Sequence, residues 1–126
     1  MIEENKNNPE NSFKKSNGIN IEDFRKVDIV VGKILSAEKV PDTDKLLKLS
    51  VDLGEEKERQ IISGISLYFP DCSVLIGKKC MFVANLETRV IRGIESQGMI
   101  LAVSTSDDKF SLLIPNDEIP VGARAK

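Results

Sequence analysis

The chain has 126 residues, 40% hydrophobic and 30% charged, and its 18 basic and 20 acidic side chains leave a formal net charge of −2. That size suits one domain with a tail. No apolar run approaches the ~18 residues of a membrane-spanning helix. The absence of histidine removes the commonest general base, the commonest metal ligand and the usual partner of a nucleophilic serine or cysteine.

Residues 1–19 form the first predicted segment. It is rich in asparagine, carries Pro9, and has few large apolar residues beyond Ile2 and Phe13. Such a stretch buries too little surface to offset its ordering entropy. We read it as a disordered tail or an interdomain linker, with the folded domain over 20–126. It has no apolar core of the kind a secretory signal needs. Asn20 is then a helix N-cap, with Glu22 and Asp23 in the first turn. The stretch "IEDFRK" therefore predicts a short helix, docked by Ile21 and Phe24.

A β-branched run follows from Val27 to Val40, interrupted by Gly32, which predicts a long strand with a bulge or sharp coil at the glycine. "PDTD" (Pro41–Asp44) has turn composition. From Lys45 to Leu53 the apolar residues Leu47, Leu49, Val51 and Leu53 alternate with Lys48, Ser50 and Asp52, a period of two. "GEEKE" turns the chain and "RQIISGI" is the hairpin partner. "SLYFP" is a short helical turn ended by Pro70. "KKCMFVANL" and "MILAVS" are the fourth and fifth strands, "KFSLLIP" is a further short strand, and "PVGARAK" closes the chain. The pattern predicts an all-β fold, a five-stranded OB-fold barrel with a short helix between strands three and four, a short N-terminal helix and a C-terminal extension.

In such a barrel the loops between strands one and two and between strands four and five flank the ligand face on strands two and three. Here they would be "PDTD" and "NLETRVIRGIESQG" (85–98). The second carries Arg89 and Arg92, whose guanidinium forks suit phosphate oxygens. The alternative is pairing of Arg89 with Glu87 and of Arg92 with Glu95, leaving a mere connection. Lys33, Lys45, Lys48 and Arg59 are candidates to track a phosphate backbone, or simply the solvated surface of a sheet. Tyr68 and Phe69 are expected to pack the small helical turn. With so few aromatics, shape and phosphate contacts are expected over base stacking. The serines near glycine at Ser63 and Ser96 lack the nucleophile-elbow spacing, and no glycine-rich phosphate loop is present. Asp42 and Asp44 have no calcium-loop ligands after them. Cys72 and Cys80, with seven residues between them, match no zinc pattern and read as reduced thiols of a cytosolic protein. No catalysis, metal or cofactor is expected.

Several blocks in this order resemble one family: "VGKI", "DKLLKL", "RQI-SGI", "VANL" and "RG-ES-GM". From about Ile21 to Lys126 the chain resembles the tRNA-binding domain found at the C-terminus of many methionyl-tRNA synthetases and as stand-alone structure-specific tRNA-binding proteins. The resemblance implies an OB-fold, often a homodimer, that binds tRNA by shape without catalysis and assists aminoacylation by the synthetase body in the cytoplasm. It implies RNA-facing roles for Lys33, Lys45, Arg59, Gln60, Asn85, Arg89, Arg92, Ser96 and Met99. Glu87 and Val90 stand where the family usually has lysines, Thr88 where it has proline, and Gln97 where it has glutamate. The loop is thereby less basic, and each lost phosphate contact weakens binding and its salt dependence. Two alternatives stay open: a peptide-binding export chaperone of the same fold, and a pure dimerisation module that has lost RNA binding.

Overall fold

The computed structural model describes residues 17–126; the expected tail lies largely outside the described residues. Asn20 caps the four-residue helix α1 (Ile21–Phe24), its side chain accepting from the Asp23 N–H at 2.8 Å. Neither Ile21 nor Phe24 docks it: they are 58% and 43% exposed, and Ile19 and Val27 beside them are exposed too. Its side-chain ties are the exposed ion pairs Arg25–Glu22 and Lys26–Asp23. A segment this short has too small an apolar face to anchor itself.

The barrel is built from β1 (Ile29–Lys39), β2 (Leu47–Asp52), β3 (Arg59–Ser63), β4 (Lys79–Val83) and β7 (Met99–Ile100), in the sheet order β3-β2-β1-β4-β7. All ladders are antiparallel. β1 is long because it serves two neighbours. Its first half, Ile29–Lys33, pairs with β4, and its stretch from Lys33 to Lys39 pairs with β2. The C-terminal segment adds to the first half: Val31 N–H donates to the Ala123 carbonyl at 2.8 Å and Gly122 N–H to the Val31 carbonyl at 2.9 Å.

The register irregularity lies between Ile34 and Ser36, not at Gly32. Gly32 answers a packing demand instead. A Cβ there would stand 2.6 Å from Leu53 Cδ2 and 2.8 Å from Phe82 Cδ1. The predicted stripe of Leu47, Leu49, Val51 and Leu53 points inward, with Ile34, Ile61, Leu75 and Phe82 completing the interior.

Between β3 and β4 the chain forms two short 3-10 turns, Ser66–Tyr68 and Cys72–Leu75, rather than one helix. The expected fifth strand divides at Leu101. Met99–Ile100 stays in the barrel, whereas β8 (Ala102–Ser104) leaves it to pair with β9 (Phe110–Leu112). Cys72 and Cys80 are both free, and burial pushes the Cys80 thiol up to about 11, so it stays protonated and inert at neutral pH.

Candidate nucleic-acid interface

The stretch between β4 and β7 is a hairpin, not a loop. β5 (Arg89–Ile91) pairs with β6 (Ile94–Ser96) in the register Arg89↔Ser96, Val90↔Glu95 and Ile91↔Ile94. Its turn is Arg92–Gly93, with φ of 53° and 80°. Two successive positive φ values mark a type I′ turn, whose twist matches that of the flanking strands. The charged sequence hid this because an exposed two-stranded ribbon needs little apolar surface. The signal was present, however: a glycine second in a two-residue break between "RVI" and "IES".

The hairpin tip faces the β1–β2 connection, Val40–Leu46. A cleft of about 450 Å³ is lined by Thr43, Asp44, Lys45, Leu46, Ile91 and Arg92. An adjoining one of about 460 Å³ is lined by Asp42, Thr43, Arg92 and Ile94 among others. Arg92 and Thr43 line both. The connection is held in shape: Thr43 Oγ1 donates to the Val40 carbonyl at 2.8 Å, and Ser66 N–H to the Lys45 carbonyl at 2.9 Å. Among the described residues, neither Lys45 nor Arg92 has an ion pair, and neither the Arg89–Glu87 nor the Arg92–Glu95 pair forms. Asp42 and Asp44 share the rim, so two carboxylates temper the two cations.

The nine residues singled out by sequence divide into two groups. Lys33, Lys45, Arg89, Arg92 and Met99 are exposed and, among the described residues, their side chains make no hydrogen bond or ion pair, whereas Asn85, also exposed, is tied into the fold. Lys33 lies away from the cleft, paired in register with Asp52 and Lys79. Six residue steps of strand carry it to Lys39, roughly 20 Å. The other four hold the barrel together. Arg59 forks onto Glu55, with Nε to Oε1 at 2.9 Å and Nη2 to Oε2 at 2.7 Å, and its Nη1 donates to the carbonyls of Ala84 and Gln97. Gln60 Nε2 donates to the Glu95 carbonyl at 2.8 Å. Asn85 receives the Asp28 N–H and donates to the Lys26 carbonyl. Ser96 is 1% exposed; its Oγ accepts from Ile62 N–H and donates to the Gly98 carbonyl. A hydroxyl so enclosed closes the barrel and touches no ligand in this conformation.

Sequence reading missed Gln97 as a structural residue. Its Oε1 accepts from Gln60 N–H and its own N–H donates to the Gln60 carbonyl, stitching β3 to the segment before β7. No local pattern announces a bond across 37 residues. Lys48, another candidate cation, is half-buried and pairs with Glu38 at 3.7 Å.

Among the described residues there is no helix long and apolar enough to cross a membrane and no cluster of three or more metal-ligating side chains. The fold and its rim define a class: a small OB-type barrel whose loops present unpaired cations beside a polar strand face, the arrangement by which such barrels meet nucleic acid. The comparison with known proteins narrows this. Residues 29–124 match the family described as "Putative tRNA binding domain", and the chain belongs to that family. It is 48% identical over 110 residues to the methionine–tRNA ligase of Thermotoga maritima, covering 87% of this chain and 17% of that relative. The chain thus spans only 15 to 18% of the length of such relatives. Among solved structures, a MetRS-related protein from Pyrococcus horikoshii superposes with a TM-score of 0.79 at 41% identity, covering 86% of this chain and 98% of that one. The chaperone CsaA of Bacillus anthracis superposes with a TM-score of 0.74 at 29% identity, covering 86% and 99%.

Proposed function

We propose that this chain is a non-catalytic tRNA-binding domain that serves a methionyl-tRNA synthetase in the cytoplasm. The carrying observation is the cleft between the β1–β2 connection and the β5–β6 hairpin, where Lys45 and Arg92 offer unpaired cations on two fixed supports. Lys33, roughly 20 Å from Lys39 along β1, and Arg89 at the base of the hairpin extend the path, and contacts so spaced read backbone shape rather than base sequence. Met99, exposed on β7 opposite Val83, is the remaining contact in this reading. The acidic rim and the uncharged Val90 keep the affinity low. A weak site suits a tethered domain, because linkage raises the local tRNA concentration at the catalytic body without any added chemical group. Residues 1–19 serve as the linker in this reading. The exposed apolar cluster of Ile19, Ile21, Phe24 and Val27 is where we place homodimer contact, since grouped apolar side chains on a surface mark association sites.

Titration with tRNA at several salt concentrations tests the reading. Arg92→Ala and Lys45→Ala each weaken binding and lower the slope of log affinity against log salt by about one unit, as expected for the loss of one phosphate contact. Unchanged affinity and slope in both variants would sink this placement.

A second reading follows from the likeness to the CsaA chaperones, supported by the apolar side chains left exposed. Capture of an unfolded polypeptide by a chain that shows no tRNA shift at low salt would favour it. A stable dimer that binds neither tRNA nor polypeptide would favour a pure dimerisation module.

A further inference from the structure

The first 3-10 turn and the β8–β9 hairpin enclose a cleft that the cationic rim does not include. Its volume is about 430 Å³, within the range of small-ligand sites, and its walls include Tyr68, Phe69, Lys78, Asp108, Phe110 and Ile114. The aromatic rings are ordered from the core outward. Phe69 meets Phe110 edge-on at 5.8 Å, and Tyr68 stacks on Phe110 at 4.0 Å with 9° between the ring planes. Tyr68 does not pack inward as expected; it is 41% exposed. Among the described residues, the side chains of Lys78 and Asp108 have neither an ion pair nor a hydrogen bond.

The cleft shares no lining residue with the cationic rim but lies close to it along the backbone. Ser66 N–H bonds the Lys45 carbonyl, and Tyr68 follows two residues later in a 3-10 turn, which puts it roughly 10 Å from the Lys45 backbone. A flat π-surface, a free carboxylate and a free ammonium in one cleft, next to a phosphate-suited rim, match one ligand chemistry. An apolar peptide side chain would have no use for the two charges. A nucleotide uses all three: the base stacks, the ammonium meets a phosphate, and the carboxylate accepts from the base edge. Only guanine presents two adjacent N–H groups on its Watson–Crick edge, the pattern that satisfies both carboxylate oxygens.

We infer that this aromatic cleft is a subsite for one unpaired base of the bound RNA, with guanine preferred through Asp108. It rests on the RNA-binding reading and adds a base contact to what is otherwise a shape reader. Tyr68 is the only tyrosine, and the chain has no tryptophan, so its emission reports this cleft alone.

The test titrates the whole chain with single-stranded hexanucleotides carrying one guanine or one adenine in a uridine background, and with tRNA. The guanine oligonucleotide quenches Tyr68 at a several-fold lower concentration than the adenine one. Asp108→Asn erases that preference and keeps the quench; asparagine tolerates the φ of 70° at this position. Tyr68→Ala, checked for an unchanged fold by thermal unfolding, weakens tRNA binding about tenfold. Its salt slope stays as in the parent, because stacking releases no counterion. If tRNA binds without quenching Tyr68 and Tyr68→Ala binds equally well, the subsite is overturned while the RNA-binding reading stands. If tRNA fails to bind at low salt, both fall. Quenching by an apolar peptide and by none of the oligonucleotides overturns it in favour of a protein occupant.

Discussion

Arg92 occupies a backbone conformation that ordinarily selects glycine or asparagine. With φ at 53°, its Cβ is crowded against the backbone at a cost of about 1 kcal/mol or more for a residue of this type. Asparagine is far better suited to that position of a type I′ turn. A hairpin optimised for stability alone would not place arginine there, and the strain fits the proposed role of a cation at the tip. Arg92→Asn is therefore expected to raise stability by about 0.5–1 kcal/mol, a shift of a few degrees in thermal unfolding, while weakening tRNA binding. A loss of both stability and affinity would contradict the assignment. The contrast with Ser96 is instructive. Both belong to the same family-like motif, yet one is exposed at a hairpin tip and the other is enclosed under β3.

At the scale of elements, β1 governs the geometry. It must bend to serve β4 and β2 in turn, and the irregularity at Ile34–Ser36 allows this. Gly32 lets Leu53 and Phe82 close over the strand. Gly32→Ala would force those side chains apart and cost about 1–3 kcal/mol, readable as a lower urea midpoint at an unchanged m-value. The β2 stripe was legible from sequence because strand periodicity is local: alternate residues share a face whatever the strand pairs with. The β5–β6 hairpin was not, because its strands are only three residues each and half polar. The helix α1 was legible as a helix from its cap, but its docking was not, since no local pattern says whether an apolar residue finds a neighbour.

For the whole molecule the decisive feature is how the barrel closes. β3 is joined to the β6–β7 region by Arg59, Gln60, Ser96 and Gln97 acting largely through side chains. Glu55 anchors this set, and its carboxyl is held below the ordinary 4.5, first by the hydrogen bond from Arg59. A carboxylate with a depressed folded-state pKa contributes stability that is fully present above pH 4.5 and is lost as the pH falls through the folded value. The pair is partly exposed, so the contribution is less than about 1 kcal/mol. Denaturant melts between pH 5 and pH 3 should show this loss in the parent chain and a flatter profile in Glu55→Gln. Equal slopes would mean the clamp does not depend on the Glu55 charge.

The sequence by itself determined the all-β class, the inward face of β2, the cap of α1 and the family, because periodicity, turn composition and ordered motifs are properties of neighbours in the chain. The tertiary structure alone decided which of the matched residues are tied to partners and which stay free. Arg59, Gln60 and Ser96 engage partners 34 to 38 residues away in sequence, and Asn85 engages partners 57 and 59 away. Whether a polar side chain closes a barrel or waits for a ligand depends on what the fold brings to it from that distance. Only the folded chain sets Lys45 opposite Arg92 and lays Tyr68 on Phe110.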